Sequence, residues 1–206
     1  MPAARYSFIA ARPWLDFVNS DDATGRGGAG ELASRVDALA TFERFVEWLQ
    51  AAGLLDAERA GGLRRRGELQ RAGATAVVVE ARRVRAVLRV LAERGAHSEA
   101  VRREALATIN RVLGRSAGMR RIERRDDGTH VRVFVPTGDA FAGMMIPIAD
   151  SAGDAMVDGQ LGRVRRCAAT RCTRVFLDLT KNATRRWCDM RTCGNREKAR
   201  KRRTAS

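Results

Sequence analysis

The sequence predicts an α+β fold in two unequal units: a mostly helical N-terminal region with a small β-hairpin, then a short cysteine-bearing finger. Three observations predict it. Apolar residues recur at helical spacing from Thr41 to Val112, the period switches to two around Asp127-Gly128, and all four cysteines fall in the last forty residues. At 206 residues the chain has room for one well-cored domain and an appendage. Boundaries of 1–160 and 161–206 are therefore expected. With 45% hydrophobic and 31% charged residues the chain can bury a core and does not read as disordered.

The elements are expected as follows. Phe8 to Asn19 (FIAARPWLDFVN) is apolar around Pro13 and reads as a strand or packed arm. Ser20 to Gly30 is a loop by composition. Gly25, Gly27 and Gly30 there match a dinucleotide-binding spacing, but the residues before them (NSDDAT) are polar where that turn needs a buried strand, so a surface loop is the better reading. Thr41 can cap a helix whose Phe42, Phe45, Val46 and Leu49 form one stripe, with Gly53 as its stop. Asp56 starts an Arg-rich helix. A third helix runs from Thr75 to Arg94 through Val77, Val84, Val87, Leu88 and Leu91, and Ser98 caps a fourth with Val101, Ala105, Ile109 and Val112. Aromatics on these stripes, such as Trp48, are read as core. Arg120–Arg125 and the alternating Val131, Val133 and Val135 flank Asp127-Gly128 as a hairpin. Helical spacing returns from Asp139 to about Arg166, with Pro147 near a start or kink.

Charge is informative through its position. Residues 163–206 carry 15 Lys and Arg against Asp178, Asp189 and Glu197, a net of +12, whereas the other 162 residues carry only +3. Such a field attracts phosphate polyanions. It would also attract an anionic membrane, but the tail lacks regularly spaced large apolar residues to insert. The N-terminal stretch is broken by Arg12 and Pro13 and has no secretory pattern, and Ala140–Ala149 is too short to span a bilayer. A cytoplasmic, nucleoid-associated protein is the expectation.

The cysteines form two equal pairs, Cys167-x4-Cys172 and Cys188-x4-Cys193, separated by fifteen residues. Two short knuckles brought together supply the tetrahedral thiolate set that zinc prefers, and four protein ligands leave no open position, so the site reads as one structural zinc ion. A redox dithiol usually uses Cys-x-x-Cys, which is absent, and unrelated core cysteines would not fall into equal pairs in so polar a region. His97 and His130 lie outside the cluster. Thr173 to Leu179 alternates enough for a short hairpin, and Thr184 to Arg203 reads as helical, giving a treble-clef-like order of knuckle, hairpin and helix.

The stretch Cys193-Gly194-Asn195-Arg196 resembles the CGNR zinc-finger family, and Arg165-Arg166-Cys167, Phe176-Leu177-Asp178 and Arg185-Arg186-Trp187-Cys188 match the same finger in order. Leu15-Asp16-Phe17-Val18-Asn19, Trp48-Leu49 and Ala52-Gly53-Leu54-Leu55 are similar to the ABATE domain that commonly precedes it. The resemblance covers nearly the whole chain. It implies a bacterial stress-induced transcription regulator with zinc held by Cys167, Cys172, Cys188 and Cys193. The Gly-rich loop near Arg26 departs from the family pattern.

From the residues themselves, Gly194 permits a tight backbone approach, Asn195 can bond backbone or sulfur, and Trp187 is expected beneath the metal, with base stacking as its alternative. Arg185, Arg186, Arg196, Lys198, Arg200, Lys201, Arg202 and Arg203 are the candidate phosphate contacts. The expected function is zinc-dependent binding of nucleic acid, duplex DNA first, by a homodimeric regulator whose N-terminal domain dimerises or senses an unidentified small-molecule effector. RNA or ribosome binding is the alternative. An enzyme with an accessory finger comes third, because the chain offers two histidines and no nucleophile elbow or phosphate loop.

Overall fold

The computed structural model describes residues 6–21, 37–115, 117–124 and 127–204. Gly25, Gly27, Arg26 and Gly30 lie outside them. Residues 6–12 form an arm, and the chain then enters a six-residue helix, α1 (Pro13–Val18), where a strand was one of the two expectations. Pro13 sits in the first turn, where its fixed φ suits a helix and its missing N–H costs nothing. Trp14, Leu15, Phe17 and Val18 are all fully buried. So short a helix can bury every face because it is enclosed by α4 (Arg71–Arg94), α7 (Ile146–Val157) and strand β4 (Val175–Leu177).

The capped helices form where the side chains call for them. α2 (Phe42–Ala51) begins at Thr41, whose hydroxyl accepts from the Arg44 N–H, and Gly53 follows it in the left-handed region at φ 70°. α3 (Ala57–Leu69) begins at Asp56, which accepts from the Arg59 N–H at 2.7 Å. α4 starts four residues before the expected Thr75. The Thr75 hydroxyl bonds back to the Arg71 carbonyl at 3.0 Å inside the helix and caps nothing. α5 (Glu99–Leu113) is capped by Ser98.

The hairpin pairs β1 (Gly118–Arg124) with β2 (His130–Pro136) in antiparallel register, and Gly128 in its turn has φ 82°. Among its described residues only Val133 is buried. Ion pairs pin the hairpin instead, Glu123 to Arg59 at 2.6 Å and Arg120 to Asp150 at 2.5 Å. A short α6 (Ala140–Gly143) capped by Asp139 leads to α7, which has Pro147 in its first turn. α7 ends at Val157, short of the expected Arg166, and passes through a 3-10 turn (Gln160–Arg163) into β3 (Val164–Arg166).

β3 pairs with β4 antiparallel, Val164 opposite Leu177 and Arg166 opposite Val175. The expected hairpin within residues 173–179 is therefore one strand whose partner precedes Cys167. Its three residues are all buried rather than alternating. The helical stretch is likewise shorter than expected: a single π turn (Met190–Gly194) runs into α8 (Asn195–Thr204), and residues 184–189 are not helical.

One hydrophobic cluster runs from Ala10 to Cys193, including Trp48, Phe45 and Phe176, so the core does not divide between the helical region and the finger. Asn19 joins them at the sheet edge. Its Nδ2 donates to the Val175 carbonyl at 2.7 Å and its Oδ1 accepts from the Val175 N–H at 3.0 Å, as a paired strand would. The Leu177 N–H donates to the Ala10 carbonyl, and Arg89 donates to the carbonyls of Val18 and Thr173.

Candidate metal centre

The first knuckle is the turn between β3 and β4. The Cys167 N–H donates to the Arg174 carbonyl at 2.8 Å, the Cys172 N–H donates to Ala169, and Arg171 between them holds φ 62°. The second pair flanks the π turn: Cys188 precedes it and Cys193 lies inside it. The Gly194 N–H reaches five residues back to the Asp189 carbonyl, and the Asp189 carboxylate accepts from the Arg191 N–H.

These two turns bring all four Sγ atoms within 4.8 Å of one another, and all four residues are buried. Cys172 and Cys188 are 3.9 Å apart, Cys188 and Cys193 3.6 Å. A disulfide needs about 2.05 Å. A tetrahedral zinc with Zn–S of about 2.3 Å needs sulfurs about 3.8 Å apart. The observed edges fit the metal and rule out a bond between the sulfurs. With protein alone around them, the thiols oppose each other. Donation from Cys172 and Cys188 draws Cys167 below the ordinary thiol range, and contact with Cys167 and Cys172, with burial, pushes Cys188 above it. Burial and the Cys172 charge raise Cys193. A divalent cation removes this conflict by stabilising four thiolates at once.

Donors to sulfur temper the negative charge. The Cys188 N–H points at the Cys167 sulfur at 3.4 Å, and Arg196 Nη2 approaches the Cys193 sulfur at 3.5 Å. Sequence comparison matches residues 11–159 to ABATE, described as "Putative stress-induced transcription regulator". The chain belongs to the ABATE family. Residues 163–205 match the CGNR zinc finger, and no curated protein matches the chain. The CGNR finger with its four clustered cysteines binds one zinc ion.

In this CGNR finger the expected phosphate contacts divide into two groups. Arg185 faces inward: its guanidinium lies 4.4 Å from the Phe176 ring centroid and donates to the carbonyls of Trp187 and Cys188. Arg196 is turned toward sulfur. Arg186, Lys198, Arg200, Lys201, Arg202 and Arg203 are exposed, five of them along α8. Trp187 is half-buried and carries Arg186 over its ring at 5.5 Å. Asn195 bonds backbone, the Arg191 carbonyl, and not sulfur. A side chain at Gly194 would collide with Met190 Sδ at 2.4 Å, so the close approach there is to a side chain of the same turn.

Three residues with supporting roles escaped the sequence reading. Asp178 is fully buried; its carboxylate accepts from the N–H and hydroxyl of Thr180 and from the Arg185 N–H. It shapes the loop that delivers Cys188. Glu197 accepts from the Thr170 N–H at 2.8 Å and from Arg200 at 3.0 Å, tying α8 to the first knuckle. Asn19 braces β4 from the ABATE region. Glu197 and Asn19 pair with groups remote along the chain, whereas the partners of Asp178 lie within seven residues of it, and only the Phe-Leu-Asp and Val-Asn matches to the families marked two of the three.

Proposed function

We propose that this ABATE-family regulator acts by binding duplex DNA through α8, with Cys167, Cys172, Cys188 and Cys193 as the ligands of one structural zinc. The observation that carries the reading is the division of the basic residues. The finger uses Arg185 and Arg196 internally, while Lys198, Arg200, Lys201, Arg202 and Arg203 face solvent on a helix tied to the knuckle through Glu197, and Arg186 is exposed on the loop before Cys188. A helix held by buried contacts presents its cations in fixed positions, which is what phosphate registration requires. A ten-residue helix makes few base contacts, so two copies per site are proposed, and sedimentation of a monomer only would count against that.

The test is binding of zinc-loaded protein to duplex DNA across a salt series, with an RNA duplex as competitor. The log–log slope should be several units and fall by about 0.9 for each phosphate contact removed. Neutralising Arg200, Lys201, Arg202 and Arg203 to Gln should flatten it, and Cys188→Ser should abolish binding with loss of zinc. RNA competing as well as DNA would transfer the reading to RNA. A slope near zero for the wild type would end it.

A further inference from the structure

A cavity of about 300 Å³ opens between α3, the turn after α2, β2 and the junction of α6 with α7. Its walls are apolar: Leu49, Leu63 and Met144 are buried, and Leu54, Leu55 and Phe134 pack partly against the core. Among the described residues, Arg59 and Arg66 supply the only charged or polar side chains in its lining, and no acid stands among them to balance the two. Arg59 is neutralised from outside by Asp56 at 3.3 Å and Glu123 at 2.6 Å. Arg66 has no carboxylate or hydrogen-bonding partner for its guanidinium among the described residues. The cavity therefore offers an apolar slot with one unbalanced positive charge at its rim.

We propose that this cavity binds a small monocarboxylate with an unbranched or ring-bearing apolar body, the body against Leu49, Leu63, Phe134 and Met144 and the carboxylate on Arg66. The pairing follows from charge and polarity. A guanidinium matches a carboxylate with two parallel N–H donations. A phosphate monoester would bring nearly two negative charges to one unbalanced cation. Sugars and nucleotides need several buried donors and acceptors that this lining lacks, and a cationic amphiphile would meet Arg66 head-on. The volume lies at the small end of ligand sites. β2 and the start of α7 form one wall, and α7 leads through the 3-10 turn to β3, so the ligand would lie beside the segment that carries the finger. The proposal does not rest on DNA binding.

The test uses full-length, zinc-loaded protein titrated calorimetrically with octanoate, octylamine and 1-octanol, each below its micelle or solubility limit. Octanoate should bind at a single saturable site, 1-octanol about tenfold more weakly, as the loss of one charge-assisted contact implies, and octylamine not at all. Arg66→Gln should bring octanoate down to the level of the alcohol. Gly62, on the cavity wall in α3, has open space where a Cβ would stand, so Gly62→Leu adds an apolar side chain at the mouth. It should abolish binding of both octanoate and octanol while leaving the thermal midpoint no lower. Octylamine binding as well as octanoate, no saturable octanoate binding, or an unchanged octanoate affinity in Arg66→Gln would each overturn the proposal.

Discussion

At the residue scale, two buried aspartates, one in α1 and one in the finger, illustrate how burial and partners compete. Asp16 sits in α1, where burial drives its pKa up to about 6, against donations to Oδ1 from the Ile9 and Ala10 N–H groups and the field of Arg174. Asp178 has no exposed surface, but the Thr180 hydroxyl and the N–H groups of Thr180 and Arg185 outweigh the cost of burial and hold it below the ordinary carboxylate range. Their contributions to stability have opposite signs. The folded state binds the Asp16 proton more tightly than the unfolded state does, so its contribution is full below about pH 4 and is lost as pH rises through about 6. That of Asp178 is present at neutral pH and is lost as pH falls below its unfolded value of 3.8. Asp16→Asn keeps the Oδ1 acceptor and removes the titration. Relative to wild type it should gain stability between about pH 4 and 7, by up to about 3 kcal/mol, in urea unfolding monitored by far-UV circular dichroism. A difference that does not vary with pH would contradict this. Asp178→Ala leaves three donors without their acceptor. It should cost about 2 kcal/mol or more at pH 7 and speed zinc release to a chelator.

At the scale of elements, Glu197 ties α8 to the first knuckle, and that gives a test in which charge and geometry predict opposite results. Glu197→Ala removes the acceptor for Thr170 and Arg200 and raises the positive charge of the tail by one. If charge alone governed DNA binding, affinity would rise. If α8 must be held in place, affinity should fall at every salt concentration while zinc stays bound, and that fall is the expected outcome in a titration with metal analysis. The helices themselves were legible in sequence because stripe and cap are local: Thr41, Asp56 and Ser98 cap where expected, and the hairpin turns at Asp127-Gly128. The cysteine cluster was legible because its spacing repeats. The misreadings of α1 and β4 share one cause, which is that the deciding partner is distant along the chain. α1 looks extended because its residues are buried on every side by α4, α7 and β4. β4 looks like half of a local hairpin, but its partner lies before Cys167. Arg185 and Arg196, expected as phosphate contacts, differ: Cys188 and Cys193 stand only three residues away, but spacing alone does not show that the guanidinium turns inward to a carbonyl, a sulfur and the Phe176 ring.

At the scale of the whole molecule, the continuity of the core decides how the finger depends on the rest. A segment as short as 163–205 buries too little to fold alone, and metal usually supplies the difference. Here β4 also borrows hydrogen bonds from Asn19 and Ala10, and Phe176 lies in the same apolar cluster as Trp14 and Phe17. Removing zinc should therefore destabilise the ABATE core as well as the finger, because α1 loses one of its walls when β4 loosens. A chelator added to the full chain should lower the midpoint of one cooperative thermal transition. Added zinc should raise that midpoint in proportion to the logarithm of free metal once the site is near saturation. The tryptophans provide the separate readouts: Trp14 and Trp48 are buried in the helical region, and Trp187 is half-buried in the finger. In a chain keeping Trp187 alone, and in one keeping Trp48 alone, the tryptophan should report the same midpoint as the far-UV circular dichroism of that same chain. If Trp187 melted well below Trp48, with the upper transition insensitive to zinc, the finger would be an independent appendage. The bonds from Asn19 to Val175 would then contribute nothing to cooperativity. Asn19→Ala discriminates further, since it touches no sulfur: in a shared core it should lower both midpoints together, and in an appendage only that of Trp187.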